Sequence, residues 1–463
     1  MSAPLLFVLL PLVVAVGLYF ARARRWLVVV LAGIVCFSLS ALALLAPIDT
    51  LVQIGPISFE IPSTLLILGR RLVLEDGHRP FLALIYTTAG FWFLGSMVAR
   101  ANRLFVPMGL AMVALLVAVS AVEPFLYAAL LVEMAVLVSV PFLAPPGKPF
   151  GQGVLRYLIF QSLAMPFILL AGWSLASIEA NPSNQALYGQ AEVFLGLGFA
   201  FWLAVFPFYT WIPLLTEQSH PYTAGFVVTL LFSVILLFSL NFLDTFAWLR
   251  SSTLLFQSLR LVGLIMVVTG GVWAAFQRNQ ARLMGYAVIL ELGISLLALS
   301  LGIAEGLNLF AQLFLPRIIA LATWALALAI LQRQPGFRGF SDLRGLLRRA
   351  PVVGITWMLA YFSLGALPLL AGFPVRMVVM ETLASQSIGA PLWVMAGNMG
   401  YLIGGLRALA LMASGDDPWR ISETRTQIAM LVIGALALIL VGLFPGVFVP
   451  GMNGLLEPFT RLR

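Results

Sequence analysis

Runs of about twenty apolar residues, separated by short polar connections, recur along the whole chain. Each has the length that an α-helix needs to cross the ~30 Å hydrocarbon core of a bilayer. Fourteen runs are predicted, near 3–20, 26–46, 81–99, 104–121, 125–143, 154–175, 191–213, 222–243, 258–276, 283–303, 307–331, 351–372, 374–412 with an internal loop, and 426–446. Residues 374–388 are expected to complete the preceding interrupted helix, which leaves 390–412 as the thirteenth span proper. The connection 47–80 is longer than the others. It holds Gly55-Pro56, the alternating Ser58-Phe59-Glu60-Ile61 and a β-rich stretch from Leu65 to Leu74. These features predict a small external hairpin that needs a neighbour, with lateral contact as its expected use.

One arrangement occurs twice. Glu133 is followed by Pro207 and Pro213, and Glu291 by Pro368 and Pro374, at offsets of 158 for the acids and 161 for both prolines. Two similar blocks, each with an acid at mid-span and paired prolines in an apolar run, are the plan of an ion-handling membrane protein. Each block is five spans long, and because five is odd, the second crosses the membrane upside down relative to the first. The predicted fold is therefore an all-α polytopic membrane protein with about 14 transmembrane helices, two inverted five-helix repeats, and helices 7 and 12 broken. Its expected divisions are 1–103 (helices 1–3 with the hairpin), 104–249 and 250–413 (the repeats), and 414–463 (the last helix and an external C-terminus).

Composition supports this class: 62% of residues are hydrophobic and 10% charged. That balance excludes an ordinary soluble protein. The net charge of +8 does not point to nucleic acid, because the basic residues are scattered singly over short loops. They report orientation instead. Sixteen of the 26 basic residues fall in connections after odd-numbered spans, at Arg22, Arg24, Arg25, Arg100, Arg103, Lys148, Arg156, Arg278, Arg282, Arg333, Arg338, Arg344, Arg348, Arg349, Arg420 and Arg425. Those loops are expected in the cytoplasm and both termini outside, in a cell inner (plasma) membrane. Pro4 to Phe20 lacks a basic leading segment and a small-residue cleavage site, so it reads as a retained helix. Segment 332–350, with five arginines, reads either as a surface helix against anionic headgroups or simply as a basic loop. Two histidines, His78 and His220 in loops, and the single Cys36 provide no metal cage, disulfide or haem attachment.

A charge at bilayer depth costs about 2.5–3.5 kcal/mol on insertion scales, so it faces a bundle interior or a wet cavity. The candidates are Glu133, Glu291, Arg317 and Arg376, with Glu381 and Arg407 deeper or shallower depending on where the last helices begin. Two readings of the glutamates stand side by side: groups on a proton path, or protonated acids hydrogen-bonded to a neighbouring helix. Arginine stays charged and cannot relay protons, so Arg317 is expected either to tune a nearby acid or to form a structural ion pair with one such as Glu291. Pro207, Pro213, Pro368 and Pro374 are expected to free the carbonyls of Leu203, Tyr209, Leu364 and Leu370 for water or side chains, the alternative being packing kinks. Pro316 frees Gln312 in the same way, and Asn308 and Gln312 share a helix face. Tyr209, Tyr286 and Gln312 are the auxiliary polar candidates.

With these residues in place, the chain resembles the antiporter-like subunits of respiratory complex I, the related Mrp-type cation/proton antiporters and membrane-bound hydrogenases. The residues that carry the resemblance are the run Phe199 to Pro213, the segment Arg282-Leu283-Met284-Gly285-Tyr286, and Leu367-Pro368 through Gly372-Phe373 to Arg376. The family pattern implies a modulating fifth-helix glutamate, matched by Glu133, and a twelfth-helix outlet, matched by Arg376. The chain departs from that pattern elsewhere. Trp202 stands where a seventh-helix lysine is implied, and Tyr209 stands where a histidine often follows the Pro-Phe pair. Glu291 holds a usually neutral or histidine site. The eighth span, Tyr222 to Leu243, has no ionisable residue, and Lys148 is the only lysine.

The resemblance implies a membrane subunit of a complex I-like (NADH:quinone oxidoreductase-type) proton-translocating complex, with a degenerate lysine relay and a path through Glu and Arg. Two alternatives stand beside it: a subunit of a Mrp-type cation/proton antiporter or proton-coupled solute uptake system, or a structural membrane subunit. No cofactor or metal is expected on the chain itself. The expected partners are other membrane and redox subunits, the lipid bilayer, and protons or cations, with no nucleic acid.

Overall fold

The computed structural model describes residues 2–462 apart from 55–56, 68, 145–146, 148–149, 182, 334–338 and 416–417. Lys148 lies outside the described residues. Among those described, ten helices are long and apolar enough to cross a membrane, and Leu5–Phe20, Phe105–Ala121 and Pro351–Leu364 are shorter apolar helices. The chain is an integral multi-pass membrane protein. Burial identifies the centre of the bundle. Helices Pro221–Thr245 and Gln280–Ser300 are buried over 89% and 94% of their apolar windows, against 17% for Arg425–Leu443. A helix that is apolar all round must be surrounded by protein or lipid, and here the first two are surrounded by protein.

Two apolar runs stop being helical part-way. Gln185–Trp202 ends, and the chain resumes as a 3-10 turn, Phe208–Thr210, and the helix Trp211–Gln218. Pro351–Leu364 ends, and Phe373–Gln386 follows. Both ends close with the same backbone motif. Val205 N–H donates to the Ala200 carbonyl at 2.9 Å and Ala204 N–H to Phe201 at 3.3 Å, while Leu367 donates to Phe362 at 3.0 Å and Ala366 to Ser363 at 3.3 Å. This is the Schellman arrangement, which uses the carbonyls that a helix end leaves open. Its left-handed position usually holds glycine. Here it holds Ala204 at φ 52° and Ala366 at φ 57°, at a cost of about 1–2 kcal/mol each.

The prolines therefore act differently from the expectation. Pro207 and Pro368 lie beyond the helix ends, in the connecting segments. Pro213 and Pro374 fall in the first turns of the resumed helices, where the missing N–H has no intrahelical partner to lose. Pro316 is likewise in the first turn of Phe314–Leu331, directly after a separate helix, Ile303–Gln312.

The long connection is more structured than one hairpin, so strands accompany an otherwise helical fold. Leu51–Ile54 pairs antiparallel with Ile57–Glu60, and Thr64–Ile67 with Arg70–Val73. The neighbour that the second hairpin needs comes from the same chain: Val122–Glu123 adds a third strand, with Leu72 opposite Val122 and Arg71 opposite Glu123. Segment 332–350 is not one surface helix. Its described part forms two short turns, Phe340–Leu343 and Leu346–Arg349.

Small residues bring helices into backbone contact, as lipid-embedded bundles require in the absence of a hydrophobic drive between helices. A Cβ on Gly271, in Thr253–Phe276, would overlap the Gly397 carbonyl of Gly389–Ala413. Gly271→Ala is expected to separate this pair and cost about 1–3 kcal/mol, read as a lowered melting temperature in detergent. Gly17→Ala, where nothing lies within 4 Å, should melt as the parent does.

His220 precedes the central helix Pro221–Thr245. Burial pushes its imidazole down to about 4, opposed by a backbone hydrogen bond to Ala99 and helped by Arg333. Arg333 itself donates to the Val98 carbonyl at 2.7 Å. A histidine whose folded pKa is depressed stabilises the fold fully above its free value of 6.5 and loses that contribution as pH falls toward 4. His220→Gln is expected to flatten the drop in melting temperature across that window. His78, also pushed to about 4 by burial, supplies a remaining slope.

Candidate functional site

The two halves place their acids differently. Glu291 sits in Gln280–Ser300, is 2% exposed, and is ion-paired with Arg376, 3% exposed, in the first turn and a half of Phe373–Gln386. The Arg376 Nη2 group donates to Glu291 Oε1. Its Nη1 is buried with no hydrogen-bond partner among the described residues. The anticipated Arg317–Glu291 pair does not form; Arg376 holds that carboxylate. Arg317 is 2% exposed, all three of its guanidinium nitrogens lack partners among the described residues, and its charge lies 5.0 Å from the Phe314 ring centre.

Glu133 is half-buried in Ala128–Leu143, on the margin of a face that exposes Leu130, Met134 and Leu137. Ser162 Oγ donates to its Oε1 at 2.6 Å, and Oε2 is buried without a partner among the described residues. Ser162 belongs to Gln152–Ala180. The adjacent Gln161 is fully buried: its Nε2 donates to the Trp202 carbonyl at 3.1 Å, where the interrupted helix ends, and its Oε1 has no partner. One turn earlier, Tyr157 exchanges a 3.0 Å hydrogen bond with Ser139, and its ring packs 5.2 Å from that of Trp211. Adjacent residues of one helix thus make two separate polar contacts, Ser162 with Glu133 and Gln161 with the end of the seventh apolar run, and among the described residues oxygens on Glu133 and Gln161 stay unpartnered. Trp202 fills its own position completely, against Phe199 and Phe238.

The remaining candidates are distributed around these centres. Tyr286 is half-buried and stacks on Trp273, with ring centres 6.4 Å apart. Tyr209 lies in the 3-10 turn and stacks on Phe206 at 6.0 Å. Gln312 Nε2 donates to Asn453 Oδ1 at 3.1 Å, so it ties the eleventh run to the C-terminal helix, while Asn308 is exposed. Arg407 donates to the Ala275 carbonyl, and Glu381 is exposed.

Sequence reading missed several groups. Gln161-Ser162 interrupt an apolar span and carried a signal; what hid them was that neither is ionisable. The Tyr361 and Tyr401 rings stack 4.2 Å apart at 10°, each hydroxyl donating to the other's carbonyl, at 2.5 and 3.2 Å. No sequence spacing links those two residues. Glu217, at the end of the resumed seventh run, accepts from Arg282 Nε at 2.6 Å and from Asn279 Nδ2 at 3.0 Å. Arg282 was read only as a basic loop residue and part of a motif.

Residues 173–404, half of the chain, match the family described as NADH:quinone oxidoreductase/Mrp antiporter, TM. The chain belongs to that family of antiporter-like membrane subunits. It is 28% identical over 326 residues to NADH-quinone oxidoreductase subunit 14 of Thermus thermophilus, covering 68% of this chain and 72% of that one. Its fold superposes on a chain of the Mrp complex from Dietzia sp. DQ12-45-1b with a TM-score of 0.79 at 15% identity, over 98% and 96% of the two chains. It also superposes on a chain of respiratory complex I from Thermus thermophilus with a TM-score of 0.74 at 20% identity, over 99% of both. These relatives are subunits of multi-subunit membrane complexes.

Removing one partner of a buried ion pair strands the other, which costs about 3–5 kcal/mol, whereas replacing both costs far less. Arg376→Gln is therefore expected to destabilise the protein strongly, and the Glu291→Gln/Arg376→Gln double variant much less. Thermal melts of the detergent-purified protein check this, and equal losses in the two variants would show that the pair does not hold the site together.

Proposed function

We propose that this chain is a proton-translocating membrane subunit of a redox-driven, complex I-like assembly, in which Glu133 and Glu291 take the place of a lysine relay. In this reading it crosses the membrane fourteen times with both termini outside. Two inverted five-helix repeats span 104–249 and 250–413, flanked by 1–103 and 414–463, and their seventh and twelfth helices are broken. The observation that carries the proposal is the buried Glu291–Arg376 pair, together with a second acid, Glu133, that keeps one buried oxygen unpartnered.

The residues set the chemistry. Arginine does not release its proton, so Arg376 and Arg317 set the local field and the acids exchange protons. Glu133 Oε2 makes no hydrogen bond among the described residues, so a proton placed on it would displace no existing contact. Glu291 gains one only when its ion pair with Arg376 opens, which makes the pair the gated step. Partner subunits supply the electron chemistry, and a change in a neighbour shifts the two carboxyls by altering the field around them. The similarity to the Thermus NADH-quinone oxidoreductase subunit supports this choice over an antiporter. The Mrp-type reading is favoured instead if the native complex lacks redox subunits.

Glu133→Gln and Glu291→Gln are each expected to lower protons translocated per electron in the assembled complex, measured in vesicles at matched subunit abundance. A stoichiometry unchanged in both variants would sink the proposal.

A further inference from the structure

The helix Trp211–Gln218 is clamped on two sides by consecutive residues at its C-terminal end. Gln218 Oε1 accepts the Gly153 N–H at 2.7 Å, in the first turn of Gln152–Ala180. Glu217 accepts from Asn279 and Arg282, and Asn279 is itself the N-cap of Gln280–Ser300, accepting from Ala281 at 2.9 Å and Arg282 at 3.1 Å. Backbone approaches reinforce both clamps. A Cβ on Gly153 would lie 2.5 Å from the Leu214 carbonyl carbon, and one on Gly285 would lie 2.7 Å from Pro213 Cα and 2.8 Å from Thr216 Oγ1. Neither contact has slack, because the neighbour is backbone.

The two clamped helices are the ones that carry the polar centres. Ser162, which holds Glu133, lies nine residues beyond Gly153, and Glu291 lies nine residues beyond Arg282. At 1.5 Å per residue each is about 13 Å from its clamp. A shift of the short helix therefore moves the Ser162 helix and the Glu291 helix together.

We infer that Glu217 is a positioning residue that couples the Glu133 centre to the Glu291 centre, with Trp211–Gln218 as the rigid strut between them. This inference rests on the two acids carrying protons. Glu217 itself touches neither acid, and its carboxylate acts by holding the N-terminus of Gln280–Ser300 through Arg282 and Asn279.

The test uses the assembled complex in vesicles, with Glu217→Gln, Glu217→Asp, the exchange Glu217→Arg/Arg282→Glu, and Glu291→Gln as reference. Proton translocation per electron is followed across pH, with abundance and electron transfer measured beside it. Glu217→Gln is expected to cut translocation roughly threefold to tenfold and to displace its pH profile at parental abundance. Glu217→Asp and the exchange should restore most of it, and Glu217→Gln should add little to Glu291→Gln. Parental translocation in Glu217→Gln overturns the inference, as does a loss that merely tracks abundance and is equal in Glu217→Asp. Parental translocation in Glu291→Gln overturns the reading of Glu291 as a proton carrier, and the strut's role with it. Loss in Glu291→Gln with none in Glu217→Gln overturns the strut alone.

Discussion

A carboxylate and a guanidinium removed from water govern the second half of this chain. Taking either into a low-dielectric interior alone is costly, and removing one partner of a buried pair strands the other. Glu291 and Arg376 form such a pair from two different helices. Arg376 reaches Glu291 from Phe373–Gln386, a helix that begins only after the apolar run before it has stopped at Leu364. The interruption after Leu364 is the structural counterpart of the ion pair.

The interruption is tolerable because the backbone groups freed at the turn find partners, as membrane depth demands. Ala366 and Leu367 close the helix end, and Gly372 N–H reaches Ser363 Oγ at 3.3 Å. The first half repeats the cap at Ala204 and Val205, 162 residues earlier. The side chains beyond the two caps differ. After Leu364 comes an arginine that pairs with an acid, whereas the first gap is bordered by the buried Trp202 and the amide of Gln161. The backbone device is shared, and the side-chain chemistry has diverged around it.

The sequence made the multi-pass helical class legible, because that is a matter of composition along one dimension, and its paired prolines fall near the places where two apolar runs stop being helical. It did not show how the helices end. Proline, the visible marker, sits just beyond or just inside a terminus, while the capping residues are alanines, which carry no turn signal. The partner of Glu291 was equally hidden. Arg317 and Arg376 are both buried arginines, and choosing between them needs the three-dimensional position of a helix that starts only after the interruption. A hairpin in the long connection was visible, but not the strand at Val122–Glu123 that completes it, since pairing across about fifty residues leaves no local trace.

Arg317 marks where the electrostatics of the two halves must balance. Its guanidinium is buried without a hydrogen-bond acceptor and rests on the face of Phe314, an attraction worth about 2 kcal/mol or somewhat more when desolvated. That falls short of what a buried charge costs, so the remainder has to come from the field of other groups or from water. With Glu291 held by Arg376, Arg317 is left without an acidic partner among the described residues. The other buried acid of the second half, Glu423, is taken up by the backbone N–H groups of Val352 and Val353. On the proposed reading, the contact with Arg376 has to open before Glu291 exchanges a proton, and a neighbouring subunit, or the strut at Glu217, supplies the movement that opens it.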